Sequence, residues 1–224
     1  MKKITVLLVD DHRVLREALR ALLLTEPDLE VVGEAENGRE AVEMAGALQP
    51  DVVVMDIAMP QLNGLEATRR ITKEAPRTKV LILSSYSDDK FVEQLSEAGA
   101  VGYFLKQTGA PEFIKALREA SKGKACFSSS ISKRLLDQGR RGSSKGGGTP
   151  HPKTSVALTS REREVIQLVA EGKGNRQAAA ELGVSIKTVE KHRQHAMNKL
   201  NIHDIAGLTR YAVAEGIIDR MAGL

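Results

Sequence analysis

The chain has 224 residues, enough for two ordinary domains that each bury a core, and its single cysteine, Cys126, excludes an internal disulfide. The first apolar run, residues 4–9, is too short to cross a membrane, so we expect a cytoplasmic protein with no membrane partner. The formal net charge of +4 is unevenly distributed, because residues 1–137 carry a net −2 and residues 138–224 a net +6, which favours an anionic partner for the C-terminal part.

The first half of the chain alternates short apolar runs with amphipathic stretches. The runs are rich in Val, Ile and Leu and predict five strands, at residues 4–10, 29–35, 51–56, 79–84 and 102–105. Apolar residues at helical spacing follow each run and predict five helices, of which the first has the apolar face Val14, Leu15, Ala18, Leu19 and Leu22. This alternation favours a doubly wound α/β fold with a five-stranded parallel sheet.

Polar side chains stand at the ends of four predicted strands. Asp10 and Asp11 follow the first strand, Asp56 the third, Ser84 the fourth and Lys106 the fifth. The carboxyl ends of parallel strands meet at one edge of a sheet, where ligands usually bind. Three carboxylates gathered there repel one another unless a cation neutralises them, and their hard oxygen atoms suit Mg²⁺. Taken singly, each aspartate could instead cap the next helix, and the lysine could be an ordinary solvated side chain.

The predicted cluster suggests a chemical role for Asp56. A carboxylate beside a divalent cation and an ammonium group can attack phosphorus to give an aspartyl phosphate. The phosphoryl oxygens would then lie on the metal ion, on Lys106 and on the hydroxyl group of Ser84. A phosphatase or phosphotransferase is the enzymatic alternative, but it would need an acid or base two residues after Asp56, where the chain has Ala58. We therefore expect a phosphoacceptor with at most slow, Mg²⁺-dependent autodephosphorylation.

These residues lie in the segments LLVDDH, MDIAMPQLNG, LSSYSDD and GYFLK. Over residues 3 to about 125 the chain resembles the receiver domain of two-component response regulators, which has a flavodoxin-like fold. The resemblance implies that a sensor histidine kinase phosphorylates Asp56, and that Ser84 and Tyr103 then change position as a switch. It also implies a Mg²⁺ site in which Asp11 binds directly and Asp10 through water. The implied metal ligands are Asp10, Asp11, Asp56 and the backbone carbonyl of Ala58.

A change of composition separates the two halves of the chain. Residues 138–155, QGRRGSSKGGGTPHPKTS, contain too little apolar surface to offset the entropy of ordering, which predicts a flexible tether. We therefore divide the chain into a first domain at residues 1–125, a linker at 126–155 that is partly helical and then flexible, and a second domain at 156–224.

The second domain has the pattern of four helices. Thr159 and Glu162 are spaced as a capping box, a short helix spans residues 175–183, a longer helix runs from Ser185 to about Leu200, and a last helix follows. A short and a long helix joined by a tight turn make a helix-turn-helix, whose second helix enters the DNA major groove. In that second helix we expect an inward-facing apolar set formed by Ile186, Val189, Ala196, Met197 and Leu200.

The segments LTSREREVIQLVAEGKGN and GVSIKTVEKHRQHAMNKL resemble the LuxR-type DNA-binding domain, so the chain is identified as a member of the NarL/FixJ class of response regulators. The resemblance maps Thr188, Glu190, Lys191 and Gln194 onto the groove, where the last three can pair with bases. The side chains better placed for DNA phosphates are Asn175, Arg176, Lys187, Thr188, Arg193 and Lys199. The alternative is that these are merely a solvated helix face. His192, His195 and His203 lack the further ligands of a zinc site.

The two resemblances together imply a phosphorylation-controlled transcription regulator. Phosphorylation would release the C-terminal domain to bind double-stranded DNA as a homodimer, through a final helix that carries Leu208, Tyr211, Ala212 and Glu215. The expected location is the cytoplasm, in association with the nucleoid. A regulator that does not depend on phosphorylation, with the first domain serving only as a docking module, is the remaining alternative, and the intact acidic cluster disfavours it.

Overall fold

The computed structural model describes residues 2–85, 89–127 and 158–218. Two compact units are present, one built around a β-sheet and the other from helices alone. None of the helices in the described ranges combines the length and the apolarity that a membrane span requires. Residues 128–155 of the predicted linker and residues 86–88 of the LSSYSDD segment lie outside the described residues, so the proposed domain boundaries stay a prediction.

The sheet of the N-terminal unit is entirely parallel, with the strand order β2-β1-β3-β4-β5-β6 among the described residues. Its strands are β1 Ile4–Val9, β2 Leu29–Ala35, β3 Val52–Met55, β4 Lys79–Ser84, β5 Gly102–Leu105 and β6 Cys126–Phe127. The first five strands confirm the predicted α/β fold and follow the flavodoxin-like order. Every residue of β3 and of β5 is buried, as expected for strands that helices cover on both faces.

The predicted count of five strands was wrong, because β6 adds a sixth. Cys126 pairs with Gly102 and Phe127 with Tyr103, so the sheet continues into the segment that we had assigned to the linker. A two-residue strand has no periodicity that a sequence pattern can register. Gly102 makes the close approach possible, since a Cβ atom there would lie 2.1 Å from the carbonyl oxygen of Cys126.

Five helices flank the sheet in the described residues: α1 Arg13–Leu24, α2 Gly38–Leu48, α3 Gly64–Glu74, α4 Asp89–Glu97 and α5 Ala110–Ala120. The predicted apolar face of α1 was partly wrong. Val14 is 80% exposed and Ala18 is also exposed, whereas Arg16, Leu19 and Leu23 are buried. The two leucines lie one turn apart on the side that packs into the core. Arg16 can be buried on the same side because hydrogen bonds to its guanidinium group compensate for the loss of water. Apolar periodicity in the sequence does not reveal such bonds.

The C-terminal unit consists of α6 Ser160–Ala170, α7 Asn175–Leu182, α8 Ile186–Leu200 and α9 Ile205–Ala214 within the described ranges. These four helices confirm the predicted all-helical domain. The capping box at the start of α6 is present, with Glu162 N donating to Thr159 Oγ1 and Thr159 N donating to Glu162 Oε2. The core of this unit includes Val165, Leu168, Ala178, Leu182, Val189, Ala196, Leu208 and Ala212.

Candidate functional site

The pairing of β1 with β3 brings two of the predicted aspartates together. Val9 pairs with Met55, and the backbone N–H of Asp56 donates to the carbonyl oxygen of Val9 at 2.9 Å. Asp10 and Asp56, the next residue of each strand, therefore emerge side by side. Their exposed fractions are only 3% and 5%, so two carboxylates are buried at one edge of the sheet. Such a pair needs a positive partner.

Lys106 is that partner. Its ammonium group, which follows β5, lies 2.7 Å from Asp10 Oδ2 and 2.8 Å from Asp56 Oδ2. The backbone N–H of Lys106 donates to the carbonyl oxygen of Ser84 at the end of β4, which holds the lysine at this edge. Burial lowers the pKa of Lys106, but Asp56 and Asp10 raise it, and the net effect is a raised pKa. The bridge therefore remains charged at neutral pH.

The carboxyl group of Asp56 has a perturbed affinity for protons. Burial raises its pKa, Lys106 opposes that rise and Asp10 adds to it, so that the pKa reaches about 6. The backbone N–H of Ile57 also donates to Asp56 Oδ1 at 2.8 Å. At pH 7 the group is therefore mostly ionised, which is the form that can attack an electrophile.

The acidic cluster has a fourth member that the sequence interpretation did not assign to the site. His12 Nδ1 lies 2.9 Å from Asp11 Oδ1 and 3.1 Å from Asp10 Oδ1. Burial lowers the pKa of His12, but Asp11 and Asp10 raise it to a net increase, while burial raises the pKa of Asp11. The position of the histidine immediately after two aspartates was the available signal, since a residue so close in sequence must share the strand end.

The donor set of this edge fits a hard divalent cation. One ligand atom from each of Asp10, Asp11, His12 and Asp56 can be chosen so that all of them lie within 4.8 Å of one another. The three carboxylates supply the oxygen ligands that Mg²⁺ prefers. Ala58, whose backbone carbonyl is the other predicted ligand, is buried two residues after Asp56. Its side chain carries no group that could direct a water molecule.

The loop after Asp56 closes back on the strand end. The backbone N–H of Gly64 donates to the carbonyl oxygen of Ile57 at 2.7 Å. A Cβ atom at position 64 would lie 1.9 Å from the carbonyl oxygen of Asp56. Only glycine allows this approach, and it lets helix α3 begin directly against the site.

Ser84 and Tyr103 are both in the interior of the N-terminal unit. Ser84 is the last residue of β4 and is fully buried at the edge that also carries Asp56 and Lys106. Tyr103 lies in β5 opposite Ile82 of β4 and is 1% exposed. It is therefore a core residue of this unit. The switch role of both side chains stays a prediction.

Helix α8 presents most of the predicted DNA-facing residues to solvent. Val189 and Ala196 are fully buried, and Met197 and Leu200 are half-buried, as expected. The inward packing of Ile186 was wrong, because this residue is 44% exposed. It is the first residue after the Ser185 cap, at the end of the helix beyond the packed core. The exposed side chains of α8 include Lys187, Glu190, Lys191, Gln194 and Asn198.

Polar contacts tie the two helices of the helix-turn-helix together. Asn175 at the start of α7 accepts a hydrogen bond from Arg193 Nη1 at 3.2 Å and donates to Glu190 Oε1 at 3.5 Å. Within α8, Gln194 Nε2 donates to Asn198 Oδ1 at 2.8 Å. The other predicted phosphate-contacting residues differ in environment: Arg176 and Lys187 are exposed, and Thr188 is half-buried with its hydroxyl group 2.8 Å from that of Ser185.

The last helix, α9, buries half of the residues that we predicted to pair two copies of the chain. Leu208 and Ala212 are fully buried in the core of their own domain, one turn apart on the side that faces the other helices. They are therefore unavailable as dimer contacts, and that part of the prediction was wrong. Tyr211 and Glu215 are half-buried, and Ile205 at the start of α9 is 53% exposed.

Two protein-family models match the chain. The response regulator receiver domain matches residues 6–118, and the bacterial regulatory proteins of the luxR family match residues 156–212. The transcriptional regulatory protein LiaR of Bacillus subtilis is 41% identical over 209 residues, which cover 93% of this chain and 96% of LiaR. The response regulator protein VraR of Staphylococcus aureus is 34% identical over 215 residues, covering 96% of this chain and 99% of VraR.

Several solved structures are also similar to the chain across both of its domains. The RcsB response regulator of Salmonella typhimurium is 26% identical with a TM-score of 0.64, over 96% of this chain and 99% of that one. ChrA, from a heme-sensing two-component system, is 32% identical with a TM-score of 0.52, over 97% and 100%. A structure of two RcsB dimers bound to two parallel DNAs is 25% identical with a TM-score of 0.57, over 95% and 99%. Similarity thus extends along nearly the whole chain.

Proposed function

Because the chain belongs to the NarL/FixJ class of response regulators, which control transcription through phosphorylation, we propose that Asp56 is its phosphoacceptor and a sensor histidine kinase its phosphodonor. The observation that carries the proposal is the Lys106 ammonium group held between Asp10 and Asp56. This ammonium group places a fixed positive charge beside both buried carboxylates, where it can neutralise the charge that develops when Asp56 attacks phosphorus. A purely structural role is disfavoured, because apolar packing of similar volume often stabilises a protein as well as a buried ion pair does.

The residues of this edge support a simple phosphoryl transfer. A carboxylate oxygen of Asp56 forms a bond to phosphorus, and the bond from phosphorus to the imidazole nitrogen of the kinase breaks, leaving its electron pair on that nitrogen. Lys106 neutralises charge that accumulates on the phosphoryl oxygens. The hydroxyl group of Ser84 donates to one of these oxygens. Ala58 offers no acid or base, so hydrolysis of the phosphoaspartate is slow.

The acidic cluster supplies the metal site of the proposed reaction. The residues that would hold Mg²⁺ are Asp10, Asp11, Asp56 and the backbone carbonyl of Ala58. When bound, Mg²⁺ supplies positive charge that attracts and neutralises a phosphoryl group. Asp10 Oδ2 already accepts from Lys106, and Asp10 Oδ1 accepts from the backbone N–H of His12. These contacts favour Asp11, whose side chain is more exposed, as the direct ligand and Asp10 as a ligand through water.

The proposed output is binding of double-stranded DNA by helix α8. Glu190, Lys191 and Gln194 contact base edges, because they lie on the exposed face of the recognition helix. The residues proposed for DNA phosphates are Asn175, Arg176, Lys187, Thr188 and Arg193. Lys199 is withdrawn from this set, because its ammonium group is bound by Glu162.

Phosphorylation acts on the output by shifting an equilibrium. Ser84 and Tyr103 change position on phosphorylation, and this increases the fraction of chains whose C-terminal domain is free to pair on DNA. We propose a homodimer through α9 that uses its exposed side, which includes Ile205, in place of the buried Leu208 and Ala212. We also propose that the N-terminal domain extends to Phe127, that the domain at 156–224 folds separately, and that the chain works in the cytoplasm at the nucleoid.

The decisive experiment combines phosphorylation with DNA selection. Intact-mass spectrometry after incubation with acetyl phosphate and Mg²⁺ should show one added phosphoryl group on the wild type, and none on Asp56→Asn or after chelation of the metal. Asp51→Asn, at the opposite end of β3, is the matched control and should be labelled normally. Selection of bound DNA from a random pool should then yield a two-fold symmetric site that depends on the phosphodonor. Unchanged labelling of Asp56→Asn would refute the proposal.

A further inference from the structure

Helix α1 contains a buried arginine that the proposed phosphoryl chemistry does not use. Arg16 is only 5% exposed and lies six residues after Asp10 in the sequence. A buried guanidinium group is costly unless charged or polar groups surround it. The groups that compensate for this burial therefore indicate what the arginine holds in place.

The guanidinium fork of Arg16 joins two strand ends. Nη1 donates to the backbone carbonyl oxygen of Asp10 at 2.6 Å, and Nη2 donates to Glu36 Oε1 at 2.5 Å. Nε lies 3.6 Å from Glu34 Oε2. Asp10 follows β1, and Glu34 and Glu36 lie at the end of β2, so one side chain connects the acidic edge to the neighbouring strand.

The carbonyl oxygen that Arg16 binds belongs to the peptide between Asp10 and Asp11. Because a peptide unit is planar, the direction of this oxygen also sets the direction of the Asp11 N–H and the position of the Asp11 Cα atom. The Asp10 carboxylate is held separately, by Lys106 at one oxygen and by the backbone N–H of His12 at the other. The backbone N–H of Asp10 is held by the carbonyl oxygen of Ala35 at 3.2 Å, and Arg16 holds the next peptide, from which the Asp11 side chain projects.

We propose that Arg16 is a positioning residue for the metal and phosphoryl site: it orients the peptide between Asp10 and Asp11 and so sets the aim of the Asp11 carboxylate. This inference rests on the proposed function of the acidic edge. An arginine suits the task because its planar fork carries two separate nitrogen donors in a fixed geometry, one for the Asp10 carbonyl oxygen and one for Glu36. Loss of such outer-shell support typically weakens metal binding by about tenfold or more.

Helix α1 also offers a matched control. Arg20 lies one turn after Arg16 and pairs with Glu34 Oε1 at 3.2 Å, but its side chain is 59% exposed and it makes no contact with Asp10 among the described residues. Replacing Arg20 by methionine removes an arginine–Glu34 pair from the same helix and leaves the Asp10 carbonyl bound. The pair of variants separates loss of charge from loss of the peptide contact.

The test is a Mg²⁺ titration of the full chain, followed by the amide NMR shifts of residues 10–12 and 56, with urea unfolding measured separately. Arg16→Met should weaken Mg²⁺ binding by about tenfold, whereas Arg20→Met should stay within about twofold of the wild type. If Arg16→Met does not fold, Arg16→Lys keeps a positive charge beside Glu34 and Glu36, and we expect weaker Mg²⁺ binding there too.

The outcomes distinguish this inference from the proposed function. A folded Arg16 variant that binds Mg²⁺ as tightly as the wild type would overturn the positioning role alone. A wild type that binds no Mg²⁺ would overturn both. Weaker binding in Arg16→Met together with unchanged binding in Arg20→Met supports the inference, because general loss of α1 charge cannot produce that difference.

Discussion

The ammonium group of Lys199 lies 2.7 Å from Glu162 Oε2, and this ion pair ties the recognition helix α8 to the first helix of its domain. Glu162 is almost fully buried and also accepts from the backbone N–H of Thr159. A cation at position 199 is therefore part of the scaffold that holds α8, even though its place in the sequence resembles that of a DNA-contacting residue.

Lys199→Met should lower the stability of the C-terminal domain, because Glu162 would be left buried without its charged partner. We expect a loss of about 2 kcal/mol in the free energy of unfolding, measured by urea denaturation. Lys187→Met is the control from the exposed face of the same helix and should leave stability unchanged. The effects of the two variants on DNA binding should be the reverse of their effects on stability. In a plot of log DNA affinity against log salt concentration, Lys187→Met should reduce the steepness of the slope by about 1, and Lys199→Met should leave it unchanged.

The same ion pair predicts a dependence on pH. Burial raises the pKa of Glu162, but Lys199 and Thr159 lower it to a net decrease. A carboxyl group whose pKa is lower in the folded state contributes stability above its unfolded pKa of 4.5, and that contribution disappears as the pH falls through the folded value. Unfolding of the wild type should thus become easier below about pH 4.5, with a smaller change in Lys199→Met. Equal pH profiles would contradict this account.

The burial of Asp56 predicts a dependence of stability on pH that is opposite in sign to that of Glu162. Its pKa is raised to about 6 by burial, so the folded state binds the proton more tightly than the unfolded state. The stabilising contribution is full below pH 3.8 and is lost as the pH rises towards 6. At pH 7.5 Asp56→Asn should therefore be more stable than the wild type, by on the order of 2 kcal/mol in the free energy of unfolding measured with urea, whereas at pH 3.5 the two should be about equally stable. A wild type more stable than the variant at pH 7.5 would show that the carboxylate is not destabilised by burial.

Gly64 is expected to be intolerant of a side chain. The Cβ atom of Gly64→Ala would lie 1.9 Å from the carbonyl oxygen of Asp56, so the loop or the strand end must move. We expect a loss of about 3 kcal/mol in stability and slower labelling by acetyl phosphate. Gly46→Ala, inside α2 with nothing within 4 Å of the added atom, is the control and should stabilise the chain by up to about 1 kcal/mol.

Cys126 should react slowly with alkylating reagents. Burial in β6 raises the pKa of its thiol to about 11, so little thiolate is present at neutral pH. Reaction with iodoacetamide at pH 7.5 should be slow in the native chain and much faster in urea, as measured by intact mass. Fast labelling of the native protein would mean that β6 is frequently detached from β5, and would argue against the sixth strand.

Much of the candidate site was accessible from the sequence because it depends on strand ends. A parallel sheet brings the residues after its strands to one edge, so Asp10, Asp56 and Lys106 could be grouped before any distance was known. His12 and Arg16 were missed for different reasons. The histidine was adjacent in sequence but had a less obvious role, while the arginine sits at a position where apolar periodicity predicts only a helix surface.

The sequence by itself determined the class of the two domains and grouped Asp10, Asp11 and Asp56 at one edge of the sheet, because hydrophobic periodicity, capping residues and turn residues are local properties. Only the tertiary structure decided which lysine and arginine side chains are already paired with carboxylates, that Leu208 and Ala212 face the core, and that Cys126 adds a strand. Those outcomes depend on distances between residues far apart in the chain, and a buried charge or a short strand finds its partner only when the whole domain has packed.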